Sequence, residues 1–142
     1  MRKSKANAQW SGDLKSGNGN MELGSGAYSG GFSFGTRFGA DSGTNPEELI
    51  GAALAGCFSM ALSNALSEAG NVPQMVRTDA EVSFGVGDGG PAISGIRLDV
   101  RAQVDGLTQS EFEEFAERTG RECPVSRALS GTSITVEAQL VS

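Results

Sequence analysis

Two cysteines and no histidine set the chemistry open to this chain. Without histidine there is no Ser-His-Asp triad, no Cys-His pair and no ordinary zinc site. If the chain is an enzyme, thiol chemistry steered by arginine and carboxylates is the leading candidate. Cys123 stands directly before Pro124, where a short helix over residues 124–129 is expected, with Cys123 as its N-cap and Gly131 after its end. Free N–H groups at a helix start stabilise a thiolate. Arg121 and Arg127 are close in sequence, and Ser126 completes a Cys-Pro-Val-Ser pattern similar to one-thiol redox motifs. The plain alternative is a cysteine acting as a small N-cap.

Cys57 lies within the apolar run of residues 45–62 and gains little from a helix end. A buried, inert thiol is one reading of it. Its surroundings weaken that reading. Gly51, Ala52, Ala53, Ala55 and Gly56 are small, and a glycine inside a helix costs about 1 kcal/mol relative to alanine. Such residues are tolerated where another backbone comes close, which suggests a second copy of the same helix. Arg37 and Glu47 are the charged candidates. Arg37 reads either as a solvated charge or as a guanidinium held beside a sulfur. Glu47 reads either as a favourable first-turn charge or as a carboxylate that fixes Arg37 through paired hydrogen bonds.

Four stretches that alternate with period two supply the scaffold: residues 31–38, 76–86, 96–104 and 134–140. Each has one apolar and one polar face, as in an antiparallel sheet covered on one side. In the first, Phe32, Phe34 and Phe38 oppose Arg37. Gly87-Asp-Gly-Gly-Pro91 joins the second and third as a hairpin, and residues 5–10 and 20–23 are shorter strand candidates. A long helix starts with Asn45 as N-cap, Pro46 at the first helical position and Glu47 and Glu48 in the first turn. It ends at Gly70-Asn71 with Pro73 beyond. Its apolar residues cover much of its circumference, so burial on more than one side is expected. A second helix opens on a capping box of Thr108 and Glu111, with Leu107 and Phe112 as a staple and Gly120 as its left-handed stop. The order of elements is α+β, with helices against one face of an antiparallel sheet.

The chain has 142 residues, the length of one domain, taken as 1–142. Its net charge of -6 argues against nucleic acid and against an anionic membrane surface. The basic start Met1-Arg-Lys-Ser-Lys5 has no apolar h-region behind it, so no signal peptide is expected. No apolar run is expected to reach the length of a membrane span. The location expected is the cytoplasm, where a reactive thiol pair is more plausible than a static disulfide.

Together, Phe34-Gly-Thr-Arg-Phe38, Gly43-Thr-Asn-Pro-Glu-Glu-Leu49, Ala53-Leu-Ala-Gly-Cys-Phe58 and Cys123-Pro-Val-Ser126 strongly resemble the OsmC/Ohr family of thiol peroxidases, in the same order over nearly the whole chain. The Gly-Thr-Arg-Phe placement of the arginine looks more like the OsmC branch. The resemblance implies an intertwined homodimer of antiparallel sheets, with the long central helix packed at the interface and two active sites there. It implies reduction of organic hydroperoxides and, less well, of hydrogen peroxide. By position it makes Cys57 the peroxide-attacking residue, Cys123 the resolving one, and Arg37 and Glu47 the family's Arg and Glu. The residues alone would make Cys123 the nucleophile. The implied partners are an alkyl hydroperoxide and an external dithiol reductant such as a lipoyl-linked one. No metal, flavin or nicotinamide cofactor is implied.

Glu47 and Cys57 are ten residues apart, about 15 Å of rise on one continuous helix. Two antiparallel helices crossing near Gly51-Ala52 would bring Glu47 of one copy to Cys57 of the other, so a shared site is expected. Two other readings stand beside the peroxidase. One is a thiol–disulfide oxidoreductase driven by Cys123. The other is a non-enzymatic ligand-binding stress protein whose cysteines are dispensable.

Overall fold

The computed structural model describes residues 1–142, and the chain packs as two units, Met1–Leu49 and Ile50–Ser142. In the first, β1 (Ala6–Ser11), β2 (Asn18–Leu23) and β3 (Ser29–Phe32) form an antiparallel meander. Trp10 and Phe32 pack on one face of it with ring centroids 5.4 Å apart. Few of its side chains are buried.

The strand expected over residues 31–38 ends at Phe32. A five-residue helix, α1 (Phe34–Phe38), follows it and carries Arg37. The reason is local. The Ser33 side chain accepts from the Thr36 amide at 3.2 Å, and the Thr36 hydroxyl accepts from the Ser33 amide at 2.9 Å. This reciprocal cap closes a helical turn that the alternation of phenylalanines conceals. Phe34 and Phe38 are four residues apart, which suits a helix face as well as a strand, and their rings stack at 4.8 Å.

The long helix, α2 (Pro46–Glu68), begins as its sequence signals, with Asn45 Oδ1 accepting from the Glu48 amide at 2.8 Å. Gly70 (φ +90°) stops it in the left-handed region. Contrary to expectation, α2 is long and apolar enough to cross a membrane by composition, with a mean hydropathy of 1.7 in its most apolar window. One stripe of it, Leu54, Phe58, Leu62 and Leu66, is fully buried in the core of the second unit. The opposite stripe of Ala52, Ala53, Gly56 and Met60 is exposed, Met60 by 77%.

The second unit lays α2 on a three-stranded sheet of β4 (Met75–Gly87), β5 (Gly90–Gln103) and β6 (Ile134–Leu140). β4 and β5 form the expected hairpin, with a register shift at Ser83/Phe84. β6 joins β5 in parallel, not antiparallel as the strand pattern alone suggested. A parallel neighbour needs a crossover, and α3 (Gln109–Glu122) with α4 (Pro124–Ala128) supplies it. The inward residues Ile96, Leu98, Val100 and Ala102 of β5 pack with Phe112 and Ala116 of α3.

The capping box at Thr108 and Glu111 forms as expected. Gly120 does not stop α3, which runs on to Glu122. Gly120 serves close packing, since a Cβ there would sit 3.0 Å from Val136 Cγ2 and 3.8 Å from Phe58 Cε2. Phe112 has no exposed surface, and Phe112→Ala is expected to cost about 3–5 kcal/mol by lost burial and a residual cavity. Chemical denaturation midpoints at unchanged slope test this.

Candidate active site

The chain assembles two clusters of chemically capable residues, one in each unit. The first is a dithiol. Cys57 Sγ, midway along α2, lies 3.1 Å from Cys123 Sγ at the junction of α3 and α4, and both thiols are free. Cys57 is half-buried, while Cys123 is 1% exposed. Cys123 ends α3 through its own amide, which donates to Thr119 O at 2.9 Å, and starts α4 as N-cap. Proline at the first position of α4 gives the helix no N–H to satisfy there. The next turn's donors converge on the sulfur: the Ser126 amide at 3.4 Å and the Ser126 hydroxyl at 3.3 Å.

These contacts divide the acidity of the pair. Burial is the main influence on Cys57 and pushes its thiol above the ordinary cysteine value. The Val125 amide pulls back, and the Cys123 sulfur pushes up again by hydrogen bonding and by charge. Burial opposes ionisation at Cys123 too. There, however, the Ser126 hydroxyl and amide, the Cys57 thiol and the Val125 amide outweigh it and hold Cys123 below the ordinary value. When Cys123 ionises, the proton between the sulfurs rests on Cys57.

The second cluster is an ion pair. Arg37, near the end of α1, donates to Glu47 in the first turn of α2: Nη2 to Oε1 at 2.7 Å, and Nε to Oε1 at 3.1 Å and to Oε2 at 3.3 Å. Glu47 is buried and the Arg37 side chain is 37% exposed. Asn45 Nδ2 donates to Thr36 O at 3.0 Å, tying the helix start back to α1. The guanidinium is thus fixed by a fork of hydrogen bonds and packs 5.9 Å from the Phe38 ring centre. Of the four candidate residues, the structure pairs Arg37 with Glu47, one of the two readings open for each, and Cys57 with Cys123. Ser126 was visible in the Cys-Pro-Val-Ser pattern without a role, and its donation to sulfur is new. No group of three or more Cys, Asp and Glu side chains is placed to hold a metal ion.

The model of the OsmC-like protein family matches residues 39–139, a span that holds Glu47 and both cysteines. The chain belongs to this family. It is 45% identical to "Peroxiredoxin OsmC" of Escherichia coli K12 over 139 residues, 97% of this chain and 96% of that one. Similarity to the "Organic hydroperoxide resistance protein" of Xanthomonas axonopodis pv. citri is lower, 33% over 90 residues, 63% of this chain and 61% of that one. The fold matches the crystal structure of the organic hydroperoxide resistance protein OhrB of Bacillus subtilis with a TM-score of 0.73, at 25% identity, over 96% of this chain and 98% of that one. The OsmC-like fold is therefore α+β with two small sheets and a long helix, as the resemblance implied.

With its sulfurs already 3.1 Å apart, this OsmC-like chain is expected to close one disulfide within a subunit on mild oxidation. Peptide mapping should find Cys57 joined to Cys123, and non-reducing electrophoresis should show no band of doubled mass. Covalent dimers as the main product would contradict the placement.

Proposed function

We propose that this chain is a cysteine-based peroxidase that reduces organic hydroperoxides to alcohols in oxidative-stress defence, with hydrogen peroxide a poorer substrate. The observation that carries this reading is the close pair of unequal sulfurs in a chain of this family: one accessible, one buried, 3.1 Å apart. Access assigns the roles. Cys123 is the more acidic sulfur but a peroxide cannot reach it. Cys57 is reachable, so Cys57 attacks the terminal peroxide oxygen. The O–O bond breaks, the alkoxide leaves and takes a proton, and Cys57 becomes a sulfenic acid. Cys123 then attacks the oxidised sulfur, water leaves, and the disulfide forms. An external dithiol, such as a lipoyl-linked one, reduces it. The cytoplasm suits this cycle.

Nothing on the Cys57 side of the dithiol lowers its thiol below the ordinary value, so the proposed site needs a cation from elsewhere. We assign that role to Arg37, held by Glu47 and acting at Cys57 of a second copy. Two features favour a homodimer. The ten-residue spacing of Glu47 and Cys57 along one helix is long for a direct contact, and the Ala52, Ala53, Gly56 and Met60 face of α2 is apolar and uncovered. Gly51 is not part of that face, because its own Val82 and Ala80 lie against it. Arg37 serves the transition state as well as the thiolate, since it can donate to the oxygen on which charge develops.

Rapid mixing of reduced protein with cumene hydroperoxide tests the function. Fast, stoichiometric sulfenate formation is expected, and its absence would favour a thiol–disulfide oxidoreductase. Cys57→Ser should abolish turnover. Cys123→Ser should permit one turnover and then stall with Cys57 over-oxidised. A protective function left intact by both substitutions would favour the non-enzymatic reading. Arg37→Met should slow sulfenate formation about 100-fold or more, the usual loss for one preorganised donor. A monomer by light scattering with full activity would remove the shared site.

A further inference from the structure

Ser126 is 4% exposed, and its hydroxyl donates a hydrogen bond to Cys123 Sγ at 3.3 Å. It sits at the third position of α4, where in a capping box a glutamate or glutamine side chain reaches back to the cap's backbone. Here the serine turns to the cap's sulfur. The peroxide-attacking step does not need it, because its partner is the sulfur that no peroxide reaches. We infer that Ser126 is a positioning residue for disulfide formation, holding Cys123 as a thiolate aimed at oxidised Cys57. The inference rests on the peroxidase reading and names the group that drives its second step.

The chemistry balances without another reagent. The Cys123 thiolate lone pair forms the S–S bond, and the Cys57 S–O bond breaks. Hydroxide leaves and recovers, as water, the proton that Cys123 had given up. Cys57 is reduced and Cys123 oxidised. The amide of Ser126 also donates to Sγ, at 3.4 Å, and no side-chain substitution removes it. A Ser126 variant therefore isolates the hydroxyl. The charged or polar groups facing Cys123 are Ser126, the Val125 amide and Cys57. Arg121 and Arg127 are exposed and make no hydrogen bond or ion pair with the sulfur.

A hydrogen bond to a charged acceptor is worth about tenfold or more in an equilibrium. Losing it should leave about tenfold less thiolate at low pH. The more basic thiolate that remains is a better nucleophile, which returns about threefold of that loss. Ser126→Ala should therefore slow disulfide formation about threefold near pH 6 and speed it by about the same factor once the pH is high enough to ionise Cys123 in both proteins. The two pH–rate curves cross. A merely structural role would shift Cys123 away from Cys57 and lower the rate by one factor at every pH.

The experiment mixes reduced full-length protein with one equivalent of cumene hydroperoxide across this pH range. Sulfenate is trapped and counted separately from disulfide. Crossing curves, with wild-type behaviour restored by Ser126→Thr, are the expected result. Coincident or parallel curves overturn the inference. If the wild type forms no sulfenate, the peroxidase reading falls on its own account. Ser126 is then judged by the thiolate absorbance of Cys57→Ser with and without Ser126→Ala. An upward shift of that titration on losing the hydroxyl upholds the inference, and an unchanged titration overturns it.

Discussion

The dithiol depends on one constraint: a chain break between two helices must hold Cys123 against a sulfur 66 residues away. Three features meet that constraint. The stripe of Leu54, Phe58, Leu62 and Leu66 seats α2 on the core and sets the rotation that presents Cys57 beside it. Gly120, without a side chain, lets the end of α3 come close to Val136 of β6 and to Phe58. Pro124 then forces the chain to restart, so that Cys123 is at once the C-cap of α3 and the N-cap of α4. The parallel crossover to β6 is what brings this junction back to α2. A glycine-to-alanine change at position 120 illustrates the competing terms. It gains helix propensity of about 1 kcal/mol but meets a methyl of Val136 at 3.0 Å, tighter than ordinary contact, so Val136 must give way.

The Arg37–Glu47 pair has its own constraint, because a buried carboxylate is costly unless it is paired and hydrogen-bonded. Glu47 meets that demand through the guanidinium fork. Its position in the first turn of α2 adds the favourable field of a helix start. α1, short as it is, exists to deliver Arg37 to it, and Asn45 does double duty by capping α2 and tying back to Thr36.

Much of this was legible in the residues, and the exceptions have physical reasons. α2 announces itself through Asn45, Pro46, Glu47 and Glu48, whose types suit a helix start. The capping box of α3, the cap role of Cys123 and strand β6 follow from equally local signals. α1 was hidden because Phe32, Phe34 and Phe38 satisfy period two and Phe34 and Phe38 also satisfy one helical turn. Only the Ser33–Thr36 cap decides between them. The direction in which β6 joins its neighbour has no signature in its own alternation, since both pairings bury every second side chain. Gly120 mimics a helix stop because a glycine needed for close approach and one needed for a left-handed turn look alike in sequence. The apposition of the two cysteines was never readable from spacing. It came from the resemblance, and the packing of α2 against the α3–α4 junction is its physical cause.

In the proposed cycle, acidity alone is a poor guide to the attacking thiol. Helix-start donors make Cys123 the better anion, and the same enclosure that supplies those donors shuts it off from a peroxide. Cys57 has the opposite balance: access, but a thiol pushed up by burial and by its neighbour. A single-thiol enzyme would need both properties in one residue. Two thiols allow them to be separated, provided that each deficiency is made good. The reachable sulfur needs a cation at the moment of attack, and the acidic sulfur needs only to be within bonding reach once its neighbour is oxidised. The 3.1 Å separation already meets the second need, so in the proposed cycle the first, a guanidinium delivered to Cys57, is the step on which turnover would depend.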